Sequence, residues 1–369
     1  MTLFEASCLC ESARHTIDLP SSELPLKMGL CHCNSCRRST GTLHLTCATL
    51  PPSYAPSPNL LAKLTPYRFS ERLTQYFCSM CGTHMLAYVP HSAHDSTTGS
   101  GWDVMTGTLE APLPPISLES HEFIADTLDG GFADFLPAVS DQHIPRFSGA
   151  AQSSERLPLR WTSSTRPNVD ASPTDRLHCH CKCGGVVFWV ARPSARSKTA
   201  ISDWPDLIIP HHSKMRRDNP SPWWLRDDGK KFLAGVCACN SCRLDTGMEW
   251  VEWAFIPAID ITLDLEGDIP FALPFGTLQA YKSSPGITRY HCGTCGSSAF
   301  FHSAARTGLL DVALGLLDAP EGARAETWLE WRTERLSFRE DAIERAKDLT
   351  LAVEQGLLQF EQRKKTNES

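Results

Sequence analysis

The chain has 369 residues, 41% of them hydrophobic, and a formal net charge of −7. That length leaves room for two domains, each with its own core, and the apolar share speaks against wholesale disorder. There is no long lysine or arginine run and no apolar run near the roughly 20 residues that span a bilayer, so neither a nucleic-acid nor a membrane partner is expected.

The first nine residues include Glu5 and lack a basic region followed by an apolar core, so they do not read as a secretory signal. A reducing, cytoplasmic setting is therefore expected, with the nucleus also open. There, sixteen cysteines point to metal binding before disulfides. In chain order the cysteines come as Cys8-Leu9-Cys10, then Cys31-His32-Cys33-Asn34-Ser35-Cys36-Arg37, then Cys78-Ser79-Met80-Cys81-Gly82. Asp103-Val104-Met105-Thr106-Gly107-Thr108-Leu109 follows. The same order returns as Cys181-Lys182-Cys183, Cys237-Ala238-Cys239-Asn240-Ser241-Cys242-Arg243, Cys292-Gly293-Thr294-Cys295-Gly296 and Asp311-Val312-Ala313-Leu314-Gly315-Leu316-Leu317. Four blocks matched in order mark an internal duplication.

The repeat predicts a first domain over 1–146, a Ser-, Pro- and Arg-rich linker over 147–175 and a second domain over 176–337. The second copy carries an insertion at about 197–230 with Trp204, Trp223 and Trp224. It reads as an excursion covering one side of the core, or as a lid over a substrate. Short β-branched and aromatic runs at 186–190 and 250–255 predict strands, so each copy reads as a small, mostly antiparallel β domain. From 338 onward, Ile343, Ala346, Leu349, Val353, Leu357 and Phe360 recur at helical spacing, which predicts one amphipathic helix packed on the second domain.

Zinc in a structural role takes four thiolate or imidazole ligands in a tetrahedron. Cys8, Cys10, Cys78 and Cys81 supply such a set, and Cys181, Cys183, Cys292 and Cys295 supply a second. Gly82 and Gly296 follow the last ligands, where a tight turn calls for positive φ. Three cysteines per copy remain: Cys31, Cys33 and Cys36, and Cys237, Cys239 and Cys242. Three ligands with an open fourth position suit a catalytic zinc, which lowers the pKa of a bound thiol. A nearby His, Asp or backbone group completing an inert site is the other reading, and spacing supports both. Arg37 and Arg243, beside these ligands, can hold a substrate carboxylate or form structural salt bridges. Cys47 lies outside the pattern and reads as a small buried hydrophobe. His178 and His180, flanking Cys179, read as a solvated linker end with metal binding as the alternative.

The ordered set CxC, CxCxxCR, CxxCG and D-V-x-x-G-x-L resembles the glutathione-dependent formaldehyde-activating enzyme family, whose domain is shared with centromere protein V. The resemblance covers roughly 2–136 and 176–336. It implies two tandem, mainly β, Mss4-like β-tent zinc domains followed by the C-terminal helix. It also implies two Zn2+ per domain, structural at CxC plus CxxC and labile or catalytic at CxCxxC. The reaction implied joins glutathione to formaldehyde as S-hydroxymethylglutathione, a carbon–sulfur lyase chemistry. Cys31, Cys33, Cys36, Cys237, Cys239 and Cys242 would then carry the reactive metal, with a small thiol such as glutathione as partner. Glu11 departs from the family's glycine after the first CxC, and Glu326-Thr327-Trp328-Leu329 stands where the late histidine strand, His121-Glu122-Phe123-Ile124 in the first copy, is expected. A non-enzymatic zinc scaffold, contacting partners through the tryptophan-rich insertion and the terminal helix, is the alternative. A redox or metal-buffering role is a third.

Overall fold

The computed structural model describes residues 2–90, 101–166, 176–202, 207–209 and 222–368. The chain is mainly β, and the duplication is visible strand by strand. In the first copy a seven-stranded sheet runs Leu64–Arg68, Thr74–Cys78, His84–Val89, Gly101–Met105, Leu45–Thr49, Leu26–Cys31, Ile116–Glu122. All neighbours are antiparallel except the last pair. The second copy repeats this order as Leu278–Ser284, Ile287–Cys292, Ser298–Ser303, Leu309–Ala313, Val251–Pro257, Lys231–Cys237, again with a parallel partner, Leu329–Ser337. Each copy begins with a separate hairpin, Thr2–Ala6 with His15–Leu19 and Arg176–His180 with Val187–Ala191.

The two copies share a core. Met28, Leu30, Leu43, Phe132 and Phe135 of the first copy cluster with Phe232, Val236, Trp250 and Val312 of the second. Val251–Pro257 is buried along its whole length and shows no alternation, with Val251, Ala254 and Ile256 in this shared core and Phe255 under Trp223 of its own copy. An approximate twofold relation runs through the interface: Gly315 N–H donates to Gly41 O at 2.9 Å, and Gly107 N–H donates to Gly247 O at 3.0 Å. A Cβ on Gly315 would overlap the Arg37 and Thr42 carbonyls, and one on Gly107 would overlap Gly247. The glycine of each D-V-x-x-G block is thus set by close approach to the other copy.

Two expectations change, and a third narrows to one of its readings. The terminal segment is two helices, Arg339–Arg345 and Lys347–Glu368, with a break at Ala346. The longer helix clamps both copies. Phe360 meets Phe135 edge to face at 5.0 Å, and a side chain at Gly356 would overlap Phe135 O. Trp223 and Trp224 are core residues, packed with Leu207, Leu233, Phe255 and Leu309. They cover one face of the second sheet, as the excursion reading has it, and offer no free contact surface; Trp204 lies outside the described residues. His178 and His180 sit within a strand, with Cys179 fully buried between them, and so are not a linker end. Residues 147–166 run along the first copy, where Phe147 bridges Arg156 and Leu157 packs with Ile124 and Ala133.

Candidate metal centres

The CxC hairpin turns and the CxxC knuckles bring two four-cysteine sets together. Cys8 and Cys10 sulfurs are 3.5 Å apart, as are Cys10 and Cys78. In the second set, Cys181 and Cys183 lie 3.5 Å apart and Cys183 and Cys292 3.4 Å apart. Within each set all four sulfurs lie within 4.8 Å of one another. Zn–S bonds of about 2.3 Å in a tetrahedron require sulfurs about 3.8 Å apart, so both sets fit a metal with little movement. Backbone N–H groups already point at the sulfurs: Ala13 donates to Cys8 at 3.4 Å and Val186 to Cys181 at 3.3 Å.

The knuckle glycines have the expected positive φ, +82° at Gly82 and +77° at Gly296. They also meet the other copy. A Cβ on Gly82 would overlap His291, and one on Gly296 would crowd Phe77 and His84. His84 Nε2 lies 2.9 Å from Ser39 O, and Thr83 Oγ1 donates to Leu244 O at 2.6 Å. The four-cysteine centres therefore sit back to back at the seam between the copies.

The three-cysteine sets cap short helices. Cys33 is the N-cap of Asn34–Thr40, and its sulfur accepts from Cys36 N–H at 3.3 Å. Cys239 is the N-cap of Asn240–Thr246 and accepts from Cys242 N–H at 3.2 Å. Gly41 and Gly247 end the helices in left-handed conformation. In both sets the sulfurs lie within 4.8 Å of one another. One thiol in each is pulled below its ordinary range by its neighbours' hydrogen bonds: Cys33 by Cys31 and Cys36, and Cys242 by Cys237 and Cys239 with Arg289 adding to the effect. Clustered sulfurs holding one of their number as thiolate suit a cation.

Around these matching triads the surroundings differ. Beside Cys33, His32 Nε2 and His121 Nδ1 are 2.9 Å apart, both rings are fully buried, and His121 Nε2 lies 2.8 Å from Leu136 O. In the second copy these positions are Ala238 and Leu336. Both Arg289 Nη atoms lie 3.7 Å from Cys242 Sγ, and Arg289 also faces Asp245 at 3.4 Å. Gln75 occupies the equivalent place in the first copy, buried, with both amide atoms unpartnered. The second triad opens on a cavity of about 670 Å³. Trp253, Phe255 and Phe301 form apolar wall, Arg289, Arg306 and Asp311 supply charge, and Leu9 reaches in from the first copy's CxC turn. Ser202 and Leu207 of the insertion also line it.

Arg243 does not line this cavity. It donates to Gly107 O and, at 3.2 Å, to Leu109 O, and pairs with Glu110 at 3.3 Å, tying the copies together. Arg37 is buried and donates to Asn34 Oδ1 at 2.5 Å. Cys47 is only half-buried, packed near Leu45 and Met105, and burial pushes its thiol up. Sequence reasoning missed Arg289, the residue before Tyr290-His291-Cys292. It also misplaced the late strand of the second copy. Cys31 pairs with Glu122 and Cys237 with Ser337, so the counterpart of His121-Glu122-Phe123 is Leu336-Ser337-Phe338, and residues 326–329 lie upstream. The match continues: Asp126 Oδ2 accepts from Asn34 N–H at 3.0 Å, and Asp341 Oδ2 accepts from Asn240 N–H at 3.1 Å. Phe123-x-x-Asp126 and Phe338-x-x-Asp341 were the available signal.

Paired β sheets, each with a four-thiol knuckle at the seam and a three-thiol helix cap beyond it, define a tandem thiolate-site protein whose clusters can hold metal. A family model described as glutathione-dependent formaldehyde-activating enzyme matches residues 3–123 and 225–333. The chain belongs to that family, in two tandem copies. No curated protein matches it. Among the described residues, no helix is long and apolar enough to cross a membrane.

Proposed function

We propose that the protein is a zinc-dependent carbon–sulfur lyase-type enzyme that makes and breaks adducts of a small thiol with an aldehyde, and that the second copy carries the reaction. The observation behind this reading is the cavity beside Cys237, Cys239 and Cys242. Those three thiolates would hold a zinc ion, which when bound supplies a Lewis acid that keeps a substrate thiol deprotonated at neutral pH. Cys181, Cys183, Cys292 and Cys295, with Cys8, Cys10, Cys78 and Cys81, would hold zinc structurally.

The chain's own residues do the rest. Arg289 places positive charge against the sulfurs and stabilises anionic sulfur there. Trp253, Phe255 and Phe301 exclude water from the carbonyl carbon of the aldehyde. Arg289, with both Nη atoms against Cys242 Sγ, favours an anionic thiol at that position, and glutathione is one such small thiol. In the addition the sulfur–carbon bond forms and the thiol proton ends on the aldehyde oxygen; the reverse breaks that bond and returns both parts. A site built on free thiols that line a cavity also calls for a reducing compartment such as the cytoplasm. The scaffold alternative loses its main contact surface, because Trp223 and Trp224 are buried. The test is exchange NMR on glutathione and 13C-formaldehyde: the zinc-loaded protein should speed exchange between free thiol and adduct, and a rate equal to buffer alone would remove the enzymatic reading.

A further inference from the structure

We propose that His178, His180 and Asp318 form a separate site for a borderline divalent metal such as Co2+, Ni2+ or Zn2+, distinct from the thiolate centres. The two histidines are alternate residues of the strand Arg176–His180, so both rings leave the same face. The rings stack at 4.8 Å with a 23° tilt, and His178 also rests on Trp189 at 5.3 Å. Asp318 comes from the end of the D-V-x-x-G-x-L block, and its backbone N–H donates to His178 O at 2.9 Å, which fixes its approach.

The chemistry of the donors points to a cation. His180 Nδ1 lies 3.0 Å from Cys181 O, a group that can only accept, so Nδ1 carries the proton. Nε2, the nitrogen left free by that contact, faces Asp318 Oδ2, 3.8 Å away. His178 Nδ1 lies 3.8 Å from the same oxygen. Two imidazole nitrogens and a carboxylate oxygen thus converge within 4.8 Å of one another. A metal with bonds of about 2.0–2.2 Å needs its donors about 3.3 Å apart, about half an ångström closer than each imidazole nitrogen stands to Asp318 Oδ2, and the side chains are partly exposed. Arg38 of the first copy pairs with Asp318 Oδ1, leaving Oδ2 for the metal, the kind of outer contact that orients a ligand. Two imidazoles and one carboxylate leave open positions for water, and the donor set suits borderline ions better than Ca2+ or Mg2+.

The first copy is a built-in control. Its equivalent residues are Glu5, Ser7 and Glu110, and Glu110 N–H again donates to Glu5 O, at 2.8 Å. The backbone frame recurs there, but the imidazoles do not. The experiment is calorimetric titration of the zinc-loaded, untagged full chain with Co2+, followed by absorbance. One Co2+ per chain is expected, without the intense charge-transfer band of thiolate ligation and without release of zinc. His178→Ala and His180→Ala should each weaken binding by about tenfold or more, and the double variant should abolish it while keeping the full zinc content of the cysteine sites. Absence of Co2+ uptake by the parent, or uptake unchanged in the double variant, overturns the proposal. Neither result bears on the lyase reading, which rests on the cavity beside Cys237.

Discussion

The two three-cysteine sets have one scaffold and two environments. Both cap a seven-residue helix, both are followed by a left-handed glycine, and both take a backbone-capping aspartate from the helical turn that follows the late strand. Yet the first is backed by a buried histidine pair and an unpartnered Gln75, whereas the second has Arg289 against its sulfurs and a cavity in front. The difference teaches that duplication preserved what folds the copy and released what surrounds the metal. Cysteines, turn glycines and interface glycines answer to geometry in both halves; the residues facing the fourth ligand position answer to whatever binds there.

That comparison can be broken at its shared part first. Cys295→Ser and Cys81→Ser should each remove a structural centre at the seam. Zinc binding at such sites is worth about 10 kcal/mol or more, so the cooperative transition should be lost, as read by calorimetry and metal analysis. Equal damage from the two variants would mark the seam as one structural unit, and a mild effect from either would deny it.

The seam also makes a pH prediction. Glu252 of the second copy is fully buried, accepts from Leu43 N–H of the first at 2.7 Å and faces His44 Nδ1 at 3.4 Å. Burial pushes its carboxyl from 4.5 up to about 8, and burial holds His44 down at about 3. With the folded value raised, the Glu252 contribution is complete below about pH 4.5 and is lost as pH rises through about 8. His44 acts oppositely: its contribution is present above 6.5 and is lost as pH falls through about 3. Glu252→Gln should therefore flatten the decline between about pH 4.5 and 8 and gain a few kcal/mol over the parent at pH 9 in denaturant titrations. An unchanged slope across that range would show that Glu252 is ionised in the fold.

At the divergent part, Arg289→Gln gives the second triad the residue of the first. Loss of a preorganised positive charge beside the reacting sulfur should cost about 10²-fold in exchange rate with zinc content kept, and the thermal midpoint should fall because buried Asp245 loses its ion pair. A lowered midpoint with the exchange rate kept would make Arg289 a structural residue only. The smallest effect is expected at Glu11, which holds φ +61° where the second copy has Gly184 at +73°. Glu11→Gly should relieve left-handed strain and stabilise by up to about 1 kcal/mol.

The ligand sets were legible in the sequence because spacing within a knuckle or helix cap is local, and repetition made it redundant. Gly82 and Gly296 were legible as turn residues, but not as contacts to His291 and Phe77, since nothing local encodes which surface lies opposite. The shared core was hidden for the same reason: Val251–Pro257 reads as an ordinary strand, and its two buried faces are explained only by the other copy on one side and the tryptophans of the insertion on the other. Arg289 escaped notice because a strand residue gains its role from the face it presents, and its repeat partner is Gln75. The terminal segment showed helical spacing, but the break at Ala346 and the clamp on Phe135 depend on tertiary contact. His121 suggested a motif by its histidine, yet the part that recurs is Phe-x-x-Asp, whose aspartate caps the triad helix.

The central claim is that the second triad is reactive and the first is not. The direct measurement is glutathione–formaldehyde exchange by NMR on Cys33→Ser and Cys239→Ser, each with zinc content and thermal midpoint recorded. The account predicts that Cys239→Ser falls to the uncatalysed rate while remaining folded, and that Cys33→Ser keeps most of the parent rate. Loss of exchange in Cys33→Ser with exchange retained in Cys239→Ser would contradict it.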